Sequence, residues 1–379
     1  MESPRIAMVA GEASGDLLAG MLLAALKERW PQLQSAGIGG PKMAAQGFDA
    51  WWPHDKLAVR GYAEVLRHLR EIIGIRRQLG DRLSREKPDL FIGVDAPDFN
   101  LGLEERLRVA GIRTVHFISP SIWAWRAGRV HTVGRAADLV LCLFPFEPAL
   151  YEAHGIAAAY VGHPLADTIP LEAPRAQSRM SLGLPQDATV VALLPGSRRS
   201  EIDYIAPRLF AAALRMHRAR PGLRFVLPLA PGLRAMVEPL AARDAPGVPI
   251  DLIDGRSHDA LAACDVALVA SGTATLEAAL LKAPMVITYV MNTISWLMMR
   301  PRNLQPWVGL PNILLARHAV PELLQGAATP ERLAAEAFAW LDDPLRCAAL
   351  RAEFTQLHLT LRCNTAQAAT DAISKVLAR

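Results

Sequence analysis

The sequence predicts an α/β protein made of two Rossmann-like domains facing a central cleft, with helices at the C-terminus. Short apolar runs alternate with longer amphipathic ones, the rhythm of β-α-β units around a parallel sheet. That rhythm breaks once, in a proline-rich stretch, and then resumes. The 379 residues, at about 150 per domain, leave room for two or three domains.

Taken in order, RIAMVA reads as a strand, DLLAGMLLAALKERW as a helix and LQSAGIGG as the next strand. PDLFIGVDAP leads into the helical FNLGLEERLRVAG, then the strand IRTVHFIS. ADLVLCLF, EPALYEAHG and AAAYVGHP complete a first domain over 1–165. The stretch 166–187 is rich in proline and polar residues, which suits a linker. ATVVALLPGSR reopens the pattern; IAPRLFAAALRMHRAR, LRFVLPLAP, VPIDLIDG, DALAACD, VALVASG, TLEAALLKA and PMVITYV carry it through a second domain over 188–340. From Pro330 the pattern is almost wholly helical, and 341–379 reads as C-terminal helices.

Composition excludes several classes. With 51% hydrophobic and 21% charged residues the chain is not of the disordered type. A net charge of +4 is too thin to imply nucleic-acid binding, which would need the charge to be clustered, so any basic patch must be sought locally. Cys142, Cys264, Cys347 and Cys363 share no C-x-x-C or Cys/His spacing, so neither a disulfide scaffold nor a structural zinc site is expected, and a reducing cytoplasm fits. The start, Met-Glu-Ser-Pro and then IAMVAGE, lacks the parts of a secretory signal. The charge-free run 283–299 contains Pro284, Asn292, Thr293 and Ser295, and reads as a buried strand and turn rather than a membrane span.

Five motifs fall at strand ends, where ligands of doubly wound sheets collect. Gly11, Glu12, Ser14 and Asp16 sit in AGEASGD before the first helix; they can face a ligand, or Ser14 or Asp16 can simply cap that helix. The spacing is not G-x-G-x-x-G, which argues against a dinucleotide dehydrogenase. GVDAPDFN places Asp95 and Asp98 just past a buried strand, where a general base belongs, although one of them, or Asn100, can cap the next helix. SPSIWAWR offers Trp123, Trp125 and Arg126 as a site wall, flanked by Arg129. PGSRRSE, with Ser197, Arg198 and Glu201, makes an anion cradle suited to a diphosphate. SGTATLE, with Ser271, Gly272, Thr273 and Glu277, offers a second cradle and a carboxylate for ribose hydroxyls, so the second half is expected to hold a nucleotide. No D-x-D suited to a metal-bound nucleotide sugar lies at a strand end, and no metal or cofactor is expected. A basic amphipathic stretch, Leu57 to Arg77, includes Arg67, Arg70, Arg76 and Arg77; such a stretch can rest on anionic lipid or be an ordinary half-buried helix.

Together these motifs, with VGHP at 161–164, LPGSRRSEI at 194–202, SGTATLEAAL at 271–280 and LPNILL at 310–315, resemble the lipid-A-disaccharide synthases, inverting glycosyltransferases of the two-Rossmann (GT-B) type. The resemblance spans residue 10 to about 325. It implies transfer of 2,3-diacylglucosamine from its UDP donor to 2,3-diacylglucosamine 1-phosphate, giving a β-1,6-linked disaccharide and UDP without a metal. It places Asp98 as a catalytic carboxylate, Arg198 at the donor diphosphate, and Asn312 and Gln325 near the donor. It also implies work at the inner face of the cytoplasmic membrane against anionic phospholipid, and a homodimer that exchanges C-terminal segments; otherwise 341–379 packs back on the first domain. In that setting the 57–77 stretch reads as a membrane or acyl contact. Rival readings are a lipid-linked N-acetylglucosamine transferase, a UDP-sugar 2-epimerase, or a non-catalytic nucleotide-sugar or lipid binder. A binder gives no reason for a carboxylate at Asp98.

Overall fold

In the first unit, every other residue of the opening strand turns to the same side, as the pleat requires. Strand β1 (Arg5–Ala10) sends Ile6, Met8 and Ala10 into one apolar cluster and Ala7 and Val9 into another. Burial on both faces is the mark of a parallel sheet covered by helices. The other strands are β2 (Gln34–Gly39), β3 (Asp49–Pro53), β4 (Leu90–Val94), β5 (Arg113–Phe117), β6 (Leu139–Cys142) and β7 (Ala158–Tyr160). They run parallel in the order β3-β2-β1-β4-β5-β6-β7, so the winding reverses between β1 and β4.

The second unit repeats the plan with β8 (Val190–Leu194), β9 (Arg224–Leu229), β10 (Ile250–Asp254), β11 (Val266–Ala270), β12 (Met285–Tyr289) and β13 (Glu322–Leu324). Their order is β10-β9-β8-β11-β12-β13, all parallel, with the reversal between β8 and β11. The computed structural model describes residues 3–57, 62–125, 128–293, 296–297 and 304–378. Arg126 and the side chains of Arg67 and Trp125 lie outside the described residues.

The first unit comprises Met1–Asp167 and Leu361–Arg379, the second Thr168–Thr360. The stretch read as a linker is therefore largely part of the second unit. Its helix Arg175–Ser181 carries Arg179, which is 1% exposed and donates to the carbonyls of Ala263 (3.0 Å) and Gln186 (2.5 Å) and to Asp265 Oδ2 (2.9 Å). A polar composition here reflects a buried guanidinium rather than a free connector.

The tail also divides. Helix Pro344–Leu361 buries Leu350 and Phe354, and its His358 lies 2.5 Å from Lys282 Nζ in the second unit. Helix Thr365–Leu377 instead inserts Ala369, Ile373 and Val376 among Leu22, Leu23, Leu26 and Phe117 of the first.

Candidate functional site

Doubly wound sheets gather ligands where the winding reverses, at the carboxyl ends of the strands. In the first unit that point lies between the loops after β1 and β4. The two loops touch: a Cβ on Gly11 would stand 3.4 Å from both Ala96 Cβ and Leu57 Cβ. Glu12 has φ +59° and is half-buried, and Ser14 is exposed.

Helix Glu12–Arg29 starts from Gly11 with no side-chain cap, so neither Ser14 nor Asp16 caps it. Asp16 is 2% exposed and accepts the amides of Gly40 (2.8 Å), Lys42 (2.9 Å) and Met43 (3.1 Å). A carboxylate at that spacing neutralises the amino end of the next short helix, Pro41–Ala44, and is spent there.

The turn after β4 is strained. Asp95 and Ala96 have φ of +52° and +43°, left-handed values that side chains other than glycine seldom adopt. The Asp95 amide donates to Phe117 O (2.9 Å), and Asn100 Nδ2 donates to Asp95 O (2.8 Å). Helix Pro97–Val109 has no side-chain cap, so the second carboxylate is not a capping device. Asn100 is fully buried and holds the turn from below rather than facing a ligand.

The result is two exposed carboxylates on a fixed turn. Asp98 lies in the first helical turn, where the helix dipole favours an anion. Its side chain is 81% exposed and pairs with Arg129 Nη2, while Arg76 Nη1 donates to its main-chain oxygen (3.4 Å). Arg129, which flanks WAWR in the sequence, is thus a cation at the carboxylate. Arg76, grouped in the sequence with the lipid-facing arginines, turns toward this turn instead.

Past β5, Trp123 is half-buried: its indole N–H donates to Glu147 Oε1 (3.0 Å), and its ring meets Phe144 and Phe146 edge-on at 6.1 and 5.4 Å. Phe144 also stacks on His163 at 5.7 Å. Trp123 is one member of an aromatic cluster, not a lone wall. Glu147 beneath it is 2% exposed, and burial pushes its carboxyl up to about 7 despite hydrogen bonds from Phe144 N, Trp123 and Ser119. Nothing in the residue pattern had singled out Glu147.

In the second unit the loops after β8, β9, β10 and β11 enclose a cavity of about 480 Å³, lined by Ser197, Arg198, Glu201, Pro231, Gly255, Ser257, Ser271, Gly272, Thr273 and Glu277 among others. Both expected cradles meet there. Sequence reading overlooked the walls from the β9 and β10 loops, although A-P-G and D-G-R-S were visible as turns after strands.

The details differ from the simple cradle. Glu201 Oε2 accepts the amides of Ser197 (2.9 Å) and Arg198 (3.1 Å), so a carboxylate already occupies the donors expected to meet a phosphate. The Arg198 guanidinium, 76% exposed, is the cation facing the cavity. Ser271 Oγ donates to Val308 O (2.9 Å), so its proton is already engaged. Gly272, at φ +149°, opens helix Thr273–Leu280 with no side-chain cap, leaving its first amides without a side-chain acceptor. Glu277 lies 3.6 Å from His258 Nε2, and this contact raises the imidazole pKa.

Asn312 is fully buried and structural: Nδ2 donates to Val320 O (2.9 Å) and Glu322 Oε1 (2.8 Å), while Oδ1 accepts Ala319 N (2.7 Å) and Val320 N (2.9 Å). Glu322, also missed in the sequence, accepts Val308 N and Gly309 N as well (both 2.9 Å). Gln325, at φ +51°, pairs its amide with both main-chain groups of Met291 (3.2 and 3.3 Å).

On helix Tyr62–Glu86, Ile75, Leu79 and Leu83 are core residues, while Arg70, Ile73 and Arg77 are exposed. Among the described residues no helix is long and apolar enough to cross a membrane, and no three His, Cys, Asp or Glu side chains are grouped to hold a metal ion.

Residues 6–373 match the family model described as lipid-A-disaccharide synthetase. The lipid-A-disaccharide synthase of Albidiferax ferrireducens is 56% identical over 378 residues, covering 98% of this chain and 97% of that protein. Among solved structures, the UDP-GlcNAc 2-epimerase from Neisseria meningitidis bound to UDP-GlcNAc gives a TM-score of 0.63 at 13% identity over 99% of both chains. The Acinetobacter baumannii MurG structure gives 0.61 at 17% identity, over 98% of this chain and 99% of that one. At those identities the structures speak for the fold alone, the GT-B arrangement of two Rossmann-like sheets. The sequence matches decide between the rivals that share it: the chain belongs to the lipid-A-disaccharide synthases, glycosyltransferases of lipid A biosynthesis.

Proposed function

We propose that the chain joins UDP-2,3-diacylglucosamine to 2,3-diacylglucosamine 1-phosphate with Asp98 as general base. The 6-hydroxyl oxygen of the acceptor attacks the anomeric carbon of the donor in line, and the bond from that carbon to the UDP oxygen breaks. The hydroxyl proton passes to the Asp98 carboxylate, and the bonding pair leaves with UDP. Arg129 fixes the carboxylate, and Asp95 is its neighbour on the same turn. Arg198 and the first amides of helix Thr273–Leu280 meet the charge that grows on the diphosphate. Glu277 accepts the ribose hydroxyls. One observation carries the reading: Asp98 stands exposed at the point where the first sheet reverses, on a turn strained enough to require dedicated support.

The exposed Arg70–Ile73–Arg77 face rests on anionic phospholipid at the inner face of the cytoplasmic membrane, where both lipid substrates are embedded. Two copies pair by exchanging residues 361–379, the partner's helix then taking the seat on helix Glu12–Arg29 that the chain's own helix Thr365–Leu377 fills in a single copy; sedimentation should then give twice the chain mass. Incubation with both substrates should yield the disaccharide and UDP in equal amounts. Release of UDP without disaccharide, or sugar epimerisation, would overturn the reading.

A further inference from the structure

Beneath the turn that bears Asp98 lies a polar cluster that the reaction does not touch. His116 on β5 and Glu104 on helix Pro97–Val109 are both fully buried, with Nδ1 and Oε1 2.8 Å apart. They meet across β4 at Gly93, the register partner of His116. A Cβ on Gly93 would fall on Glu104 Oε1 and within 3.0 Å of Asn100 Cβ and Cγ, so the missing side chain makes the space that the cluster fills. Asn100 and Glu104 are four residues apart and share that face of the helix. Asn100 in turn holds the carbonyls of Val94 (3.4 Å) and Asp95 (2.8 Å).

The cluster is costly. Glu104 Oε2, His116 Nε2 and Asn100 Oδ1 are buried without a hydrogen-bond partner among the described residues. Burial raises the Glu104 carboxyl toward its neutral form, against the pull of His116. Apolar residues of similar volume are often as stable as a buried pair or more so. A group kept at such cost under a strained turn suggests that position, not stability, is what it supplies.

We propose that Glu104 and His116 are positioning residues for the glycosyl transfer: clamped across Gly93, they fix helix Pro97–Val109 so that Asn100 holds the Asp95–Ala96 turn and Asp98 stays in place. This rests on Asp98 being the base. Small displacements of a reacting group cost about 10²-fold in rate, so Glu104→Leu with His116→Leu should lower kcat by about 10- to 100-fold, with KM for both substrates and the melting temperature near those of the parent. Glu104→Gln and His116→Asn, which keep a hydrogen bond across the pair, should retain most of the turnover. Asn100→Ala, which deletes only the two bonds to the turn, carries the same expectation as the leucine pair and serves if that pair does not fold. Asp98→Ala should cost less in the leucine background than in the parent. Parent-like kcat in folded leucine-pair and Asn100→Ala variants overturns the proposal, and so does an undiminished cost of Asp98→Ala. A parent enzyme indifferent to Asp98→Ala gives a different signature, and removes the general-base reading on its own.

Discussion

Asp98 is held by its neighbours and open to solvent, the combination a base needs before substrate arrives. Asp98→Ala should lower turnover by about 10²–10⁴-fold while UDP affinity, measured by calorimetry, stays unchanged. Near-normal turnover would move attention to Asp95. In the second unit, Arg198→Ala should weaken UDP about tenfold or more, through loss of one charge-assisted contact; unchanged affinity would mean the guanidinium serves only Glu201. Glu147 makes a prediction about pH. Its folded value is raised from 4.5 to about 7, so its stabilising effect is full below 4.5 and is lost as pH rises toward 7, by roughly 3 kcal/mol at most. Glu147→Gln lacks this titration, so melting curves from pH 5 to 8 should shift in favour of the variant as pH rises. Parallel curves would show a carboxylate that stays ionised. The exposed positions of Asp98 and Arg198 after strand ends were legible in the sequence because strand-end motifs mark them. Buried ones were not: Asp16, Asn100 and Asn312 look like site residues in a motif, and only packing reveals that their polar atoms serve the backbone.

Strands buried on both faces were the most legible elements, since such a run leaves little choice; the half-exposed edge strands β3 and β13 were not read. The misread element was 166–187, where polarity suggested a connector. Arg179→Ala would leave the carbonyls of Ala263 and Gln186 without their guanidinium donor, while Asp265 keeps Arg175 (2.6 Å) and Val190 N (2.8 Å), and should cost about 1–3 kcal/mol, visible as early loss of the second unit in urea. A connector would tolerate the change. The long helix Tyr62–Glu86 was legible as amphipathic, but not which arginines face outward. Periodicity cannot show that Arg76 reaches Asp98 O while Arg70 and Arg77 flank an exposed Ile73. Each arginine near an anionic surface contributes about 1 kcal/mol. Arg70→Ser with Arg77→Ser should therefore weaken binding to anionic vesicles at low salt, while turnover on detergent-dispersed substrate holds. Equal sedimentation of variant and parent with vesicles would leave this face as plain solvated surface.

The whole molecule has two sheets of similar plan, and on the function proposed above nucleotide should act on one of them. A ligand at 100 times its Kd stabilises its host by about 2.7 kcal/mol. UDP should thus slow hydrogen exchange in the β8 and β11 loops while leaving helix Glu12–Arg29 as before; protection of both alike would contradict the assignment. The doubly wound halves were readable from rhythm alone. The return of the chain was not, because helical periodicity does not say which sheet a helix will cover. That return has a consequence for biosynthesis. The first unit ends at Asp167 and resumes only at Leu361, so its last helix emerges roughly 10–40 s after the rest at ribosomal rates. Through that interval the apolar seat for Ile373 and Val376 stays uncovered on the nascent chain. The second unit, though made later, is complete in sequence first. The amino-terminal half is the part left open meanwhile, and a message truncated before Leu361 would yield a complete second unit and a first unit that lacks its last helix.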